Sequence, residues 1–440
     1  MMTSPIFDFI KKYNDSGATR LHMPGHKGKT LLGCEHRDIT EISGADSLFE
    51  ASGIIAESER NASDLFGADT FYSTEGSSHC IRAAVFLLKL FGCKKIFASR
   101  NAHKSFISAC ALNGIEPIWL YPSDKSFLSG RIDAKTVEDA ISCETEKCAV
   151  FLTSPDYLGN ICDISAVSAV CKKNNSLLFV DNAHGAYLKF LPKSKHPIDL
   201  GADMCCDSAH KTLPVLTGGA YLHISKCAPD LLRSNAKNAL SLFGSTSPSY
   251  LILASLDLAN GYIENGYAEA LKSFISIVND AKNELKQHGF EIVEGEELKI
   301  VIKPKSYGYY GNELMDKLEK ANIYCEFADK DHTVLMLTPE NTKEDIFKAV
   351  GILKSLHRRL PITEAAPQLP ICEKVLTVRD SVFAESEMID ACDSIGRTVA
   401  QFNVACPPAV AIAVCGEKIN ESAVKCFEYY GINKVSVVKE

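Results

Sequence analysis

Four short stretches of this sequence hold residues suited to chemistry. The first is "CCDSAHKTLPVLTGGAYLHI", Cys205 to Ile224, where Ser208, His210 and Lys211 stand in the order S-x-H-K. Few other charges flank Lys211. A lysine in apolar surroundings loses proton affinity and becomes a nucleophile toward carbonyl carbon. The second is Asp181, which ends the apolar run "SLLFVD". A carboxylate there is costly unless a cation or donors meet it. The third is His103, just after the apolar run "KKIFAS". The fourth is Gly76-Ser77-Ser78, where a helix begins. Backbone N–H groups at a helix start, with hydroxyls beside them, make an anion cup. Taken singly, each has an ordinary explanation as a cap, a turn former, a surface lysine or a structural histidine.

Taken together they supply what pyridoxal 5'-phosphate (PLP) requires. Its phosphate needs a helix start and hydroxyls. Its ring nitrogen needs a carboxylate to stay protonated. Its aldehyde needs a lysine amine.

These residues must be brought to one edge by a scaffold, and the chain reads as one. Apolar, strand-like runs ("KKIFAS", "IEPIWLY", "CAVFLTS", "SLLFVD", "GGAYLHI") alternate with helical segments such as "SSHCIRAAVFLLKLFG" and "DISAVSAVCKKNN". That alternation predicts an α/β domain with a mostly parallel sheet covered on both faces. Ligands of such sheets bind beyond the strands' carboxyl ends. "SPIFDFIKKYNDSG" predicts a first helix with Ser4 as cap and Pro5 at its first position. The stretch from Ser247 to Gly289 predicts a long helical bridge broken near its glycines. Strand and helix then alternate again as a smaller α+β unit, followed by the proline-rich linker "RRLPITEAAPQLPICEK" and a tail. The expected domains are 1–245, 246–360 and 361–440.

The chain has 440 residues, 46% of them hydrophobic and 23% charged, with a net charge of −8. This is an ordinary globular composition without the basic stripe of a nucleic-acid coat. The 17 cysteines include no C-x-x-C pair, so no zinc site is expected, and a reducing, cytoplasmic setting is. No signal-peptide pattern is read at the N-terminus, and no apolar run of about 18 residues predicts a membrane span.

The motifs resemble the Orn/Lys/Arg decarboxylase family, a fold-type-I PLP group. They are "LHMPGHKG" (21–28), "DITEI" (38–42), "LFGAD" (65–69), "TEGSS" (74–78), "RNAHKS" (100–105), "DNAHGA" (181–186), "GADMCCDSAHKTLPVLTGGAYLHI" (201–224) and "TSPSYLILASLD" (246–257). In the tail, "GRTVA" (396–400) and "PPAVAIAVCGEKI" (407–419) resemble the family's C-terminal domain. The resemblance implies a PLP-binding large domain, a small α+β domain, a C-terminal α+β appendage and no N-terminal wing. It implies that Lys211 carries the cofactor, Asp181 pairs with the ring nitrogen, Ala183 packs under the ring and His103 stacks over it. Gly76, Ser77, Ser78 and Ser208 would hold the phosphate, with His210 beside it. Thr246 and Ser247 would reach a neighbouring subunit's phosphate, in a homodimer or larger even oligomer. The implied reaction is decarboxylation of a basic amino acid to a polyamine precursor, with arginine preferred over lysine or ornithine. His210 or Lys211 would return the proton to Cα. The alternatives are an aminotransferase or other lyase of the same fold, and an inactive homologue that serves as a binding partner. Glu75 and Tyr187 depart from residues common in the family; Glu75 is expected to turn away from the phosphate.

Overall fold

The computed structural model describes residues 2–122, 128–401 and 410–440. The first helix, α1 (Pro5–Asp15), buries Pro5, Ile6 and Ile10. Ser4 precedes it but makes no side-chain cap bond, unlike the expectation. The physical reason is distant in sequence. Asp257 Oδ2 accepts the N–H groups of Ile6 (2.9 Å) and Phe7 (3.0 Å). The free donors of the first turn are therefore already met.

Helix α2 (Ile54–Phe66) stops at Gly67, whose φ of +70° is left-handed. Helices α3 (Gly76–Phe91) and α4 (Lys104–Asn113) follow. Seven strands form the large sheet: β1 (Asp69–Ser73), β2 (Lys95–Ser99), β3 (Glu116–Leu120), β4 (Cys148–Thr153), β5 (Leu177–Asp181), β6 (Met204–Asp207) and β7 (Ala220–Ile224). Their order is β1-β7-β6-β5-β4-β2-β3. The sheet is mostly parallel, as expected of this α/β class. Strands β5 and β6 run parallel, whereas β7 is antiparallel to both β6 and β1. Every residue of β5, β6 and β7 is buried, which is why these runs are almost wholly apolar. Asp181 lies opposite Cys206, so β5 and β6 end their carboxyl edges side by side.

The helical bridge is real. Helices Tyr250–Tyr262 and Ala268–His288 are separated by non-helical Asn265 and Gly266, the latter at φ +97°. A second sheet has β8 (Glu291–Ile292), β9 (Lys299–Lys303), β10 (Phe327–Ala328) and β11 (Thr333–Met336) in the order β10-β11-β9-β8, all antiparallel. Between Lys354 and Glu373 no regular element is present, in keeping with the proline-rich stretch. Two strand pairs follow: β12 (Glu373–Lys374) with β14 (Glu417–Lys418), and β13 (Ser386–Asp390) with β15 (Lys434–Val438). Pro407, Pro408 and Ala409 of the "PPAVA" motif lie outside the described residues.

By compactness the chain divides into two units: 1–96, 138–151 and 163–269; and 97–137, 152–162 and 270–440. The first has a core that includes Ile55, Phe66, Tyr72, Leu87, Phe179 and Tyr221. The core of the second includes Val301, Val334, Ile412, Phe427, Val435 and Val437. Buried Arg100 belongs to the second unit. It donates to the carbonyls of Ala411 (2.7 Å) and Ile412 (2.9 Å) and pairs with buried Glu417 at 3.3 Å.

Candidate active site

In the first unit, three chain reversals meet at the carboxyl edge of β5 and β6. The first joins β1 to α3. Ser73 Oγ meets His79 Nδ1 at 2.8 Å, and the other nitrogen of His79 meets the Leu240 carbonyl at 2.8 Å. Gly76 opens α3 with φ +74°, a conformation that favours glycine, and a Cβ there would meet nothing within 4 Å. Its N–H donates to the Gly218 carbonyl at 2.7 Å. Gly218 must be glycine too, because a Cβ would come within 2.7 Å of the Thr74 carbonyl oxygen. The two glycines lock this turn against the loop after Lys211. Ser77 and Ser78 follow in the first helical turn, whose N–H groups have no partner within the helix. The hydroxyls of Ser208 and Ser77 lie 2.8 Å apart. Hydroxyls and backbone donors suited to an anion thus converge at this half-buried turn.

Glu75 is exposed, and its carboxylate accepts the Ser245 N–H at 2.6 Å. This turns it toward the 244–247 loop. Thr246 and Ser247 in that loop are exposed.

The second reversal follows β5. Asp181 is 3% exposed. Its Oδ1 accepts from the Ala183 N–H (3.2 Å) and from the Cys206 thiol (3.6 Å). Burial pushes its carboxyl above the usual range; the charge of Lys211 is the strongest opposing influence. Among the described residues no cation forms an ion pair with it. Ala183 is partly exposed beside it.

The third reversal follows β6 and holds Ser208, His210 and Lys211. His210 Nδ1 meets the Gly219 carbonyl at 2.9 Å, and its own N–H donates to the same oxygen. Lys211 is half-buried, more open than its apolar surroundings in sequence suggest. Its Nζ lies 2.9 Å from His184 Nε2.

His103 caps α4 in the second unit. Its Nδ1 accepts the Ser105 N–H at 3.1 Å and lies 2.7 Å from the Ser105 hydroxyl. The backbone of His103 pairs with that of Val410.

The arrangement fits PLP on structural grounds. A buried carboxylate that accepts from one backbone N–H and one thiol is suited to a ring N–H as well. The serine pair and helix start suit a phosphate. The lysine amine stands on the same edge. Ser77, Ser78, Ser208, Asp181, Ala183, His210 and Lys211 thus come from the three adjoining reversals. Two partners escaped the sequence reading. His184 stands three residues after Asp181, and nothing in the spacing pairs it with Lys211. Cys206 is one of two adjacent cysteines in an apolar run, and the β5–β6 register sets it opposite Asp181.

Known proteins resemble this chain along most of its length. The model of the Orn/Lys/Arg decarboxylase major domain matches residues 4–341. An arginine decarboxylase of Halalkalibacterium halodurans is 28% identical over 456 aligned positions, covering 95% of this chain and 91% of that protein. An arginine decarboxylase of Bacillus subtilis is 27% identical, with 95% and 91% covered. Among solved structures, lysine decarboxylase A from Pseudomonas aeruginosa superposes with a TM-score of 0.83 at 17% identity, covering 99% of this chain and 80% of that one. That likeness is one of fold.

Proposed function

The chain belongs to the Orn/Lys/Arg decarboxylase family and is an amino-acid decarboxylase; we propose that it binds PLP at Lys211 and releases carbon dioxide from arginine. The observation that carries the cofactor assignment is the presence of buried, half-satisfied Asp181 and the Lys211 amine on one sheet edge. The preference for arginine rests on relatives, among them the two named above, that align along almost the whole chain.

When bound, PLP supplies an electron sink at the substrate Cα. The protein's residues do the rest. The Lys211 amine would hold the cofactor through its aldehyde. Asp181 keeps a proton on the ring nitrogen. Ser77, Ser78 and Ser208 bind the phosphate and so fix the ring's orientation. Ala183, partly exposed and bonded through its N–H to Asp181, would contact the ring. In the net reaction the Cα–carboxylate bond breaks and a proton replaces the carboxylate, giving the amine and carbon dioxide. His184, 2.9 Å from Lys211 Nζ, can pass protons to and from that amine. It joins His210 and Lys211 as a source of the Cα proton.

Purified protein incubated with PLP is expected to turn yellow, and borohydride is expected to fix the cofactor on Lys211. Carbon dioxide release should be fastest from arginine, compared with lysine and ornithine. Absence of PLP uptake would sink the cofactor assignment. Faster release from lysine would move the substrate, and amino transfer to a keto acid without carbon dioxide would replace the reaction.

A further inference from the structure

Behind the Asp181 edge lies a second polar cluster, which the mechanism above does not use. Asp207 ends β6, fully buried. Its Oδ2 receives two imidazoles: His196 Nε2 at 3.1 Å and His223 Nε2 at 3.2 Å, both rings also fully buried. His223 is held on its far side by the Thr70 hydroxyl at 2.9 Å. Cys205 Sγ lies 3.8 Å from His196 Nε2. The other oxygen, Oδ1, accepts the Asn182 side-chain N–H at 2.7 Å.

Asn182 is the hinge of the loop that carries Asp181, Ala183 and His184. Its backbone N–H donates to the Cys206 carbonyl (3.0 Å), and its carbonyl accepts the Gly185 N–H (2.7 Å). Gly185 permits this closeness: a Cβ there would fall 2.1 Å from Asn182 Oδ1. One side of Asn182 therefore abuts Asp181, and two residues on is His184, in contact with Lys211.

We infer that Asp207 is a positioning residue. His196 and His223 hold its carboxylate in place, and through Asn182 it sets the 181–185 loop that presents Asp181 and His184 to the cofactor. The three ligand-type atoms lie within 4.8 Å of one another, but here each imidazole nitrogen is directed at a shared carboxylate oxygen. Two hydrogen bonds to one oxygen and a third to the other account for the geometry without an ion. Asp207 is also a buried negative charge beside Asp181 and one residue before Ser208. It acts on the site through geometry and field, not through contact with substrate.

This rests on the PLP reading. The test compares wild type with Asp207→Asn, which keeps the shape, removes the charge and leaves two imidazoles facing an amide. The readouts are PLP affinity, by absorbance titration of the cofactor-free protein, and the pH midpoint of the bound-cofactor absorbance. The variant is expected to bind PLP about tenfold more weakly, with the midpoint lowered by about one unit, because a nearby negative charge favours the protonated form. A merely structural role would lower thermal stability and leave the midpoint alone. If Asp207→Asn does not fold, Asn182→Ala severs the same link while keeping the charged His196–Asp207–His223 set, and the weaker PLP binding is expected without the shift in midpoint. Unchanged affinity and midpoint in the folded variant, against normal wild-type uptake, overturn this inference alone. Failure of the wild type to take up PLP overturns the cofactor reading with it. Stoichiometric metal in the purified protein, lost in Asp207→Asn, would also overturn it, since the imidazoles would then be ligands.

Discussion

Two buried aspartates end neighbouring parallel strands, and their surroundings are opposite. Asp207 has two imidazoles on one oxygen and an amide on the other. These partners hold its carboxyl well below the usual range despite burial. Asp181 has one backbone N–H and one thiol, and burial pushes it upward. The first carboxylate is satisfied by its own chain. The second is only half satisfied. A buried polar group that the fold leaves short of partners costs stability, and it marks where a ligand completes the set. The same strand edge thus holds one aspartate that supports the scaffold and one suited to a cofactor.

The comparison is sharpest at Lys211. Lys211→Ala is expected to reduce carbon dioxide release to background while the thermal midpoint of the cofactor-free protein hardly moves. A variant with near-wild-type turnover would break the assignment. Next is Asp181→Asn. It removes a poorly solvated charge, so the cofactor-free protein should be as stable as wild type or more so. Its kcat should nevertheless fall by roughly a hundredfold or more, as for loss of one preorganised electrostatic partner. Asp207→Asn should show the reverse balance, with a stability loss of about 1–3 kcal/mol from two imidazoles deprived of their acceptor. If both variants lose the same stability in urea unfolding, the contrast between the two aspartates collapses. A smaller effect is expected for His184→Gln, which keeps a polar contact near Lys211 but cannot carry a proton. A loss of about tenfold to a hundredfold in kcat, with KM little changed, would match a proton-transfer role. Loss in KM alone would make His184 a binding residue.

Much of this edge was legible because each part announced itself locally. "SLLFVD" is a strand buried on both faces, so its composition is nearly uniform and its terminal carboxylate stands out. Gly67, Gly92 and Gly114 close α2, α3 and α4 in left-handed conformations, as their places after apolar periodic runs suggest. The break at Asn265-Gly266 was marked by its glycine. What was hidden depends on pairs far apart in sequence. His196 sits in a loop without periodicity, so its meeting with Asp207 has no sequence signal. The reach of Arg100 to the carbonyls of Ala411 and Ile412 spans more than half of the chain. Ser4 has the composition of a cap, but a carboxylate on a helix far along the chain takes that task.

That carboxylate, Asp257, stands between the two aspartates in character and sharpens the contrast by pH. It accepts two N–H groups of α1 and the Ser58 hydroxyl at 2.6 Å, which favours its charged form. Burial outweighs these donors, and its pKa is pushed up to about 6. The unfolded chain holds this group near about 4. A raised folded pKa means that the folded state binds the proton more tightly. The resulting stabilisation is complete below about pH 4 and is lost as pH rises through about 6. Other acidic groups with the opposite shift, Asp207 foremost, lose stability on acidification, so the wild-type curve mixes both signs. Asp257→Asn isolates the term. Urea unfolding of the two proteins from about pH 4.5 to 7.5 should give a difference that changes in the variant's favour with rising pH, by at most about 2–3 kcal/mol. A pH-independent difference would mean that the three donors prevail and Asp257 is charged throughout, which would place it with Asp207 rather than with Asp181.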